Sequence, residues 1–433
     1  MEIDLSDIDK LSLELEETLP ETTSNLSPGM DLGVTETKVY MVGLGGCGGA
    51  IVDEAYHAFK MSRDLANNLL NVLVLNTNPS DANKLKYTRH RFLRFGHEYG
   101  GSGVGAEWKK AERSISKPET AEMLNTNLGT EIYEARLIYV AAALGGGTGC
   151  GSIPVVVRYL KKWISRDGAV SEEDMPPIIA VGVLPFNSDS SRTFFNTICG
   201  LGNLIRAKPA TILLVDNETI RRRFKNERLE KVVQRVNELA AYTLRMLPVA
   251  AVSPYTGGAK TIFDPQDLKA ILKYSAEEAS ITIPLYARFP ADLVARKGLR
   301  FLLEYALKKG ALVEYDQPVY KAAFIVRAPP GAIDLTAIDK AKRELIDPLV
   351  PGEDVRYGVA VNNDDQYAEA LILLVEPTLP RMEDIMERGL NYFQRYDKTV
   401  FAEGITENEF RLCYNLVSKH SVGGRSERIE ISL

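Results

Sequence analysis

Residues 145–151 read Gly-Gly-Gly-Thr-Gly-Cys-Gly, five glycines in seven positions. They follow an apolar run at 137–142 and precede another at 153–160. A turn this bare leaves backbone N–H groups free to converge on an anion, and a helix beginning there adds the positive end of its dipole. Thr148 and Ser152 add hydroxyl donors. The turn holds no lysine, which separates it from the phosphate loop whose lysine reaches the terminal phosphates. A second run, Gly43-Leu44-Gly45-Gly46-Cys47-Gly48-Gly49, follows the apolar stretch 38–43. Its Gly-x-Gly-x-x-Gly spacing fits a dinucleotide site, but such a site wants an acid on the ribose at the end of the next strand. Asn76-Thr77-Asn78 stands there instead, so a nicotinamide oxidoreductase is disfavoured. Gly96, Gly100, Gly101, Gly103 and Gly105 form a third cluster, a loop able to close over a terminal phosphate. In the segment Pro185–Arg192, Asp189 is placed to accept from ribose hydroxyls and Arg192 to meet phosphate or base, with a helix N-cap as the structural alternative.

The elements that must position these loops alternate. Apolar runs at 38–43, 70–75, 135–142, 178–184 and 211–215 read as buried strands with helical patterns between them. That order predicts an α/β fold with a Rossmann-like parallel sheet covered on both faces, its loops gathered on one edge. A long helix without Gly or Pro is expected from Arg228 to Leu247. A second, smaller α/β unit follows: strand 281–288, helix 295–309, strand 321–327, helix 335–346 and strands near 355–361 and 368–375. Asn362-Asn363-Asp364-Asp365 predicts a hairpin between the last two. The expected domains are a disordered acidic tail (1–36), a nucleotide domain (37–227), a central helix (228–248), a second domain (249–376) and a helical extension (377–433). With 433 residues, 45% hydrophobic and 25% charged, the chain is long enough for several cores and reads as soluble. A net charge of −6 gives no reason to expect nucleic acid as a partner, and no apolar run is long enough to span a bilayer. Four scattered cysteines and four histidines show no metal spacing, and a reduced, cytoplasmic protein is expected. Cys47 and Cys150, in the two Gly-rich loops, are expected to face phosphate and to lie close together.

The signature at Gly145, Gly146, Gly147, Thr148, Gly149, Cys150 and Gly151, with the loops ordered around it, resembles the tubulin/FtsZ superfamily of GTP-dependent filament proteins over about residues 38–376. A divergent prokaryotic member, CetZ- or FtsZ-like, fits the departures: Val233 where an aromatic is usual, and Asp189 where Glu is usual. The resemblance implies GTP or GDP with Mg²⁺, with metal ligands unassigned. It implies nucleotide contacts at Gly45, Gly46, Cys47, Gly48, Asn76, Asn78, Gly103, Gly145–Cys150, Pro185, Asp189, Arg192, Asn217 and Asn237. Asn237 would read guanine, an amide offering donor and acceptor together. Asp264 and Asp267, in a hydrolytic loop at 261–268, would position the attacking water in the site of the next subunit. The implied partner is a second copy, stacked head to tail, in a filament serving division, shape or DNA segregation. The N-terminal tail and C-terminal helices are where accessory proteins would bind. A nucleotide-binding regulator that keeps the fold without polymerising is the alternative.

Overall fold

The computed structural model describes residues 37–421 except 166–169, 172, 253, 256–264, 273–278, 353–354 and 363–365. The expected acidic tail and Asp264 therefore lie outside the described residues.

Along the chain, β1 (Val39–Leu44) leads into α1 (Gly45–Met61), β2 (Leu69–Asn76) and a short edge strand, β3 (Phe92–Arg94). Two helices, α2 (Trp108–Ile115) and α3 (Pro118–Leu128), precede β4 (Leu137–Ala143) and α4 (Gly147–Ile164). Then come β5 (Ile178–Leu184), α5 (Ser191–Ala207), β6 (Thr211–Asp216), α6 (Asn217–Arg223) and the long α7 (Leu229–Met246). A single turn, α8 (Val249–Val252), and α9 (Pro265–Leu272) lead to β7 (Ser280–Pro290). The expected helix 295–309 is two, α10 (Ala291–Lys297) and α11 (Leu299–Lys309), because Gly298 between them takes φ +84°. After β8 (Lys321–Ala328), α12 (Leu335–Ala341) widens into a π turn at Lys342–Ile346. The chain closes with β9 (Arg356–Val361), β10 (Tyr367–Val375), α13 (Arg381–Arg395), α14 (Asp397–Ala402) and α15 (Glu407–Ser421).

All ten strands form one sheet, in the order β3-β2-β1-β4-β5-β6-β7-β10-β8-β9. Every pair from β3 to β7 is parallel; β10 runs antiparallel to β7 and β8, and β8 pairs β9 in parallel. The expected hairpin is therefore wrong. The connection through Asn362 carries the chain past β8, and β10 inserts between β7 and β8. Burial explains the placement: Ala368 to Val375 are all buried, as a strand with neighbours on both sides requires, whereas Arg356 at the start of β9 is exposed, as an edge tolerates.

The pleat divides the apolar residues between two cores. Tyr40, Val42, Ile138, Val140 and Ala180 face one side, packed with α2, α4, α5, α11 and the C-terminal helices. Val39, Met41, Tyr139, Val181 and Leu213 face the other, packed with α1, α7 and α9. Alternate residues of one strand thus serve opposite layers.

Candidate nucleotide site

Strand order reverses between β1 and β4: β2 lies to one side of β1 and the later strands to the other. In a parallel sheet a crevice opens at such a switch point, beyond the carboxyl ends of the strands. Here it is a cavity of about 280 Å³ lined by Leu44, Gly45, Gly46, Cys47, Asn76, Thr77, Asn78, Asp81, Ser102, Gly103, Val104, Gly105, Ala143, Gly146, Gly147, Thr148 and Gly149.

Two helix N-termini meet in it. A side chain on Gly45 (φ +71°) would start 3.3 Å from the Gly149 amide nitrogen, so α1 and α4 begin against one another. Gly147 is bare for another reason: a Cβ there would lie 2.1 Å from the Gly105 carbonyl, and the third glycine loop presses on the start of α4 through that gap. Thr148 Oγ1 and Thr77 Oγ1 share a hydrogen bond of 2.7 Å, tying the β2 loop to the α4 turn. The cavity thus offers amide and hydroxyl donors, suited to an anion. Among the described lining residues the one carboxylate is Asp81, whose Oδ2 accepts from Asn76 Nδ2 (2.8 Å) and whose Oδ1 accepts from the exposed Lys84 Nζ (2.7 Å). Asp81 Oδ2 also lies 3.2 Å from where a side chain on Gly46 would begin.

The lining brings together Gly45, Gly46, Cys47, Asn76, Asn78, Gly103, Gly146, Gly147, Thr148 and Gly149 from the sequence reading. It adds Thr77, Asp81 and Ser102, which motif reasoning missed; an acid five residues past the β2 strand end was the available signal for Asp81. Gly48 and Gly145 lie behind the lining. A Cβ on Gly48 would lie 2.0 Å from the Ala141 carbonyl, and one on Gly145 2.4 Å from Thr193 Cγ2, so both permit close packing. Cys150 points away into the core, its thiol donating to the Asn196 carbonyl (3.2 Å). Cys47 lines the cavity and packs against the opposite core, so of the two cysteines it alone faces the site as expected, and the pair is divided between the two faces of the sheet. Burial pushes the Cys47 thiol up to about 12 and the Cys150 thiol well above its ordinary value, which disfavours the thiolate at both.

Pro185 follows β5 and Asn217 follows β6, on the same sheet edge one and two strands beyond β4. Asp189 closes its own loop, Oδ2 accepting from the Phe186 amide (3.0 Å). Arg192 donates through Nη2 to both Glu403 carboxylate oxygens (2.7 Å each) and through Nε to the Ala106 carbonyl (3.2 Å). Asn217 opens α6 and Asn237 is half-buried midway along α7. None of these five lines the cavity. Asp267 lies elsewhere. Lys269, on the same helix α9, donates to the Met175 carbonyl ahead of β5, and Ser280 Oγ at the start of β7 donates to the Leu272 carbonyl at the end of α9. That places α9 at the amino-terminal edge of the sheet, opposite the cavity.

A switch-point cavity built from two Gly-rich helix starts defines a nucleotide-binding α/β protein. Residues 38–225 match the family model described as Tubulin/FtsZ family, GTPase domain. The chain is 27% identical over 239 residues to the tubulin-like protein CetZ4 of Haloferax volcanii, a match spanning 54% of this chain and 57% of that relative. It is 23% identical over 348 residues to CetZ of Pyrococcus abyssi, covering 78% and 85% respectively. In fold it is similar to Haloferax volcanii CetZ2, solved as a GTPγS-bound protofilament: TM-score 0.67, 21% identity, 83% of this chain and 99% of that one. The family match thus covers the first part of the sheet, and over a longer stretch the chain is similar in sequence and fold to archaeal CetZ-like proteins. Among the described residues no helix is long and apolar enough to cross a membrane.

Proposed function

We propose that the chain is a cytoplasmic, cytoskeletal GTPase that binds GTP or GDP with Mg²⁺ and stacks head to tail, hydrolysing GTP between subunits. The domain division expected from the sequence, with a nucleotide domain, linking helix, second domain and helical extension, belongs to this reading. The observation that carries it is the opposition of two half-sites across one sheet. The cavity sits at the carboxyl edge of the central strands and Asp267 at the amino edge. Six residues of β6 separate those edges by roughly 20 Å at the rise of a strand. One chain cannot bring both to one phosphate, whereas two stacked chains present one edge to the other. Such a heterologous contact propagates as an open filament.

Within the nucleotide half, the Gly45–Cys47 and Gly146–Gly149 backbones would hold phosphate oxygens, with Thr148 and Thr77 fixing the two turns together. At 280 Å³ the cavity is small for a whole ligand; it suits the polyphosphate and its cation. Pro185, Asp189, Asn217 and Asn237 would carry the ribose and base further along the edge. The Asp81 carboxylate fits a divalent cation, because a bare carboxylate among phosphate oxygens is repulsive. Bound Mg²⁺ supplies charge neutralisation of the phosphates. The neighbour's Asp267, with Asp264, would orient water in line with the terminal phosphate, and catalysis gains from that positioning.

Purified protein, denatured and chromatographed, is expected to release guanine nucleotide. Incubation with GTP is expected to yield sedimentable filaments visible by electron microscopy, and GDP fewer. Guanine nucleotide without sedimentation would favour the non-polymerising regulator, and absence of nucleotide binding would overturn the reading altogether.

A further inference from the structure

Helix α5 supports the cavity from behind and the C-terminal extension supports α5. Asn196, fully buried on α5, donates through Nδ2 to two carbonyls: Ala106, one residue past the cavity-lining Gly105, and Gly145, one residue before the cavity-lining Gly146. One amide thus joins the two loops that enclose the phosphate side. Arg192 stands one turn earlier on the same face of α5 and donates to the same Ala106 carbonyl.

Arg192 is itself held from outside the nucleotide domain. Glu403, just past α14, accepts from Arg192 Nη2 with both oxygens, and the pair is largely withdrawn from water, with side-chain exposures of 21% and 11%. The Glu403 carbonyl accepts from Arg113 Nη2 (3.5 Å) on α2, and Glu409 on α15 pairs with Lys109 on α2 at 2.6 Å. From α13, Arg388 donates to the Asn187 and Asp189 carbonyls, and Arg381 donates to the Pro185 carbonyl. The extension therefore reaches both flanks of the site through charged hydrogen bonds, which are stronger than neutral ones.

We propose that Arg192 and Glu403 are positioning residues: Glu403 orients the Arg192 guanidinium, which with Asn196 holds Ala106 and so sets how firmly the 102–105 loop closes over bound nucleotide. Arg192 acts through the loop and not by touching phosphate. The proposal rests on the guanine-nucleotide reading and makes the C-terminal extension a determinant of nucleotide retention.

The test uses the full chain loaded with a fluorescent GDP analogue, and hydrogen–deuterium exchange of the same protein without nucleotide. In R192A and in E403Q, nucleotide release is expected to speed up about tenfold, the scale of one lost charged hydrogen bond. The double variant is expected to be no faster than R192A, since coupled residues are non-additive. Peptides covering 102–107 are expected to exchange faster in both single variants, while R192K, which keeps the charge, recovers part of each effect. Release and exchange within twofold of the parent in both single variants would overturn the proposal. So would slower release in E403Q, because freeing Arg192 should help only if it contacts nucleotide directly. The exchange arm needs no ligand. A parent protein that ignores guanine nucleotide yet shows the E403Q exchange change would sink the nucleotide reading and leave the loop coupling standing.

Discussion

At the scale of single residues, the cavity combines signs that look contradictory. Amides and hydroxyls invite an anion, and Asp81 repels one. Lys84 pairs with Asp81 but is 76% exposed, and an exposed pair contributes little and yields easily. A divalent cation resolves the conflict, which gives Asp81 a signature no structural acid would have. With Mg²⁺ present, D81N is expected to bind GDP more weakly than the parent. In EDTA the order should invert, D81N binding tighter by about tenfold, because like charges a few ångströms apart repel by more than 1 kcal/mol even when partly solvated. Calorimetric titration in both buffers reads this directly. Equal Mg²⁺ dependence in the two proteins would remove the cation from Asp81.

At the scale of elements, glycine decides how closely helices approach the sheet. Helix α1 packs onto β4 at Gly48, where an added methyl would lie 2.0 Å from the Ala141 carbonyl. Backbone cannot yield as a side-chain tip can, so G48A is expected to lose about 3 kcal/mol or more of stability, measurable by denaturant unfolding. An unchanged midpoint would mean that α1 sits further from the sheet. What the sequence conveyed follows the same logic. Gly runs after apolar strands located the cavity, because strand, bare turn and helix start are all local patterns. The β9–β10 hairpin failed because Asn362–Asp365 signals a turn but not which strand receives the chain; the unbroken burial of Ala368–Val375 was the tertiary clue. Arg192 was legible as a cation near the site, but its partner Glu403 is 211 residues away, a separation no local motif encodes.

At the scale of the whole molecule, a buried ionic hub joins the two halves. Glu369 on β10 pairs with Arg245 at the end of α7 and with Arg327 on β8 (3.0 Å), Arg288 on β7 lies 3.8 Å away, and Arg327 also holds Asp64 after α1 (2.9 Å). Burial alone would push the Glu369 carboxyl up, but the three arginines bring it down to about 2 from an ordinary 4.5. A depressed carboxyl stabilises the fold above its unfolded value, and that stability drains as pH falls toward the folded one. Stability should therefore fall between about pH 4.5 and 2 in the parent, and E369Q should flatten that slope. The same variant should lose about 3–5 kcal/mol at neutral pH, because it takes the carboxylate from the buried Arg245 and leaves Arg327 with Asp64 alone. Asp267 makes the opposite case. It pairs with Arg356 at 2.5 Å on a half-exposed surface, so D267A should change stability by less than about 1 kcal/mol. It sits across the sheet from its own cavity, so GTP binding should also persist. If a neighbour's Asp267 orients the attacking water, turnover should drop at least about a hundredfold, the usual worth of one such group, and pelletable polymer in GTP should rise because the terminal phosphate stays in the contact. The decisive measurement mixes parent subunits preloaded with labelled GTP and growing amounts of D267A carrying unlabelled GTP, and follows the label alone. A shared site predicts that hydrolysis of the label falls in proportion to the mutant-facing contacts, whereas a site complete within one chain predicts that each parent subunit cuts its own label at the full rate, and that result would remove hydrolysis from the interface.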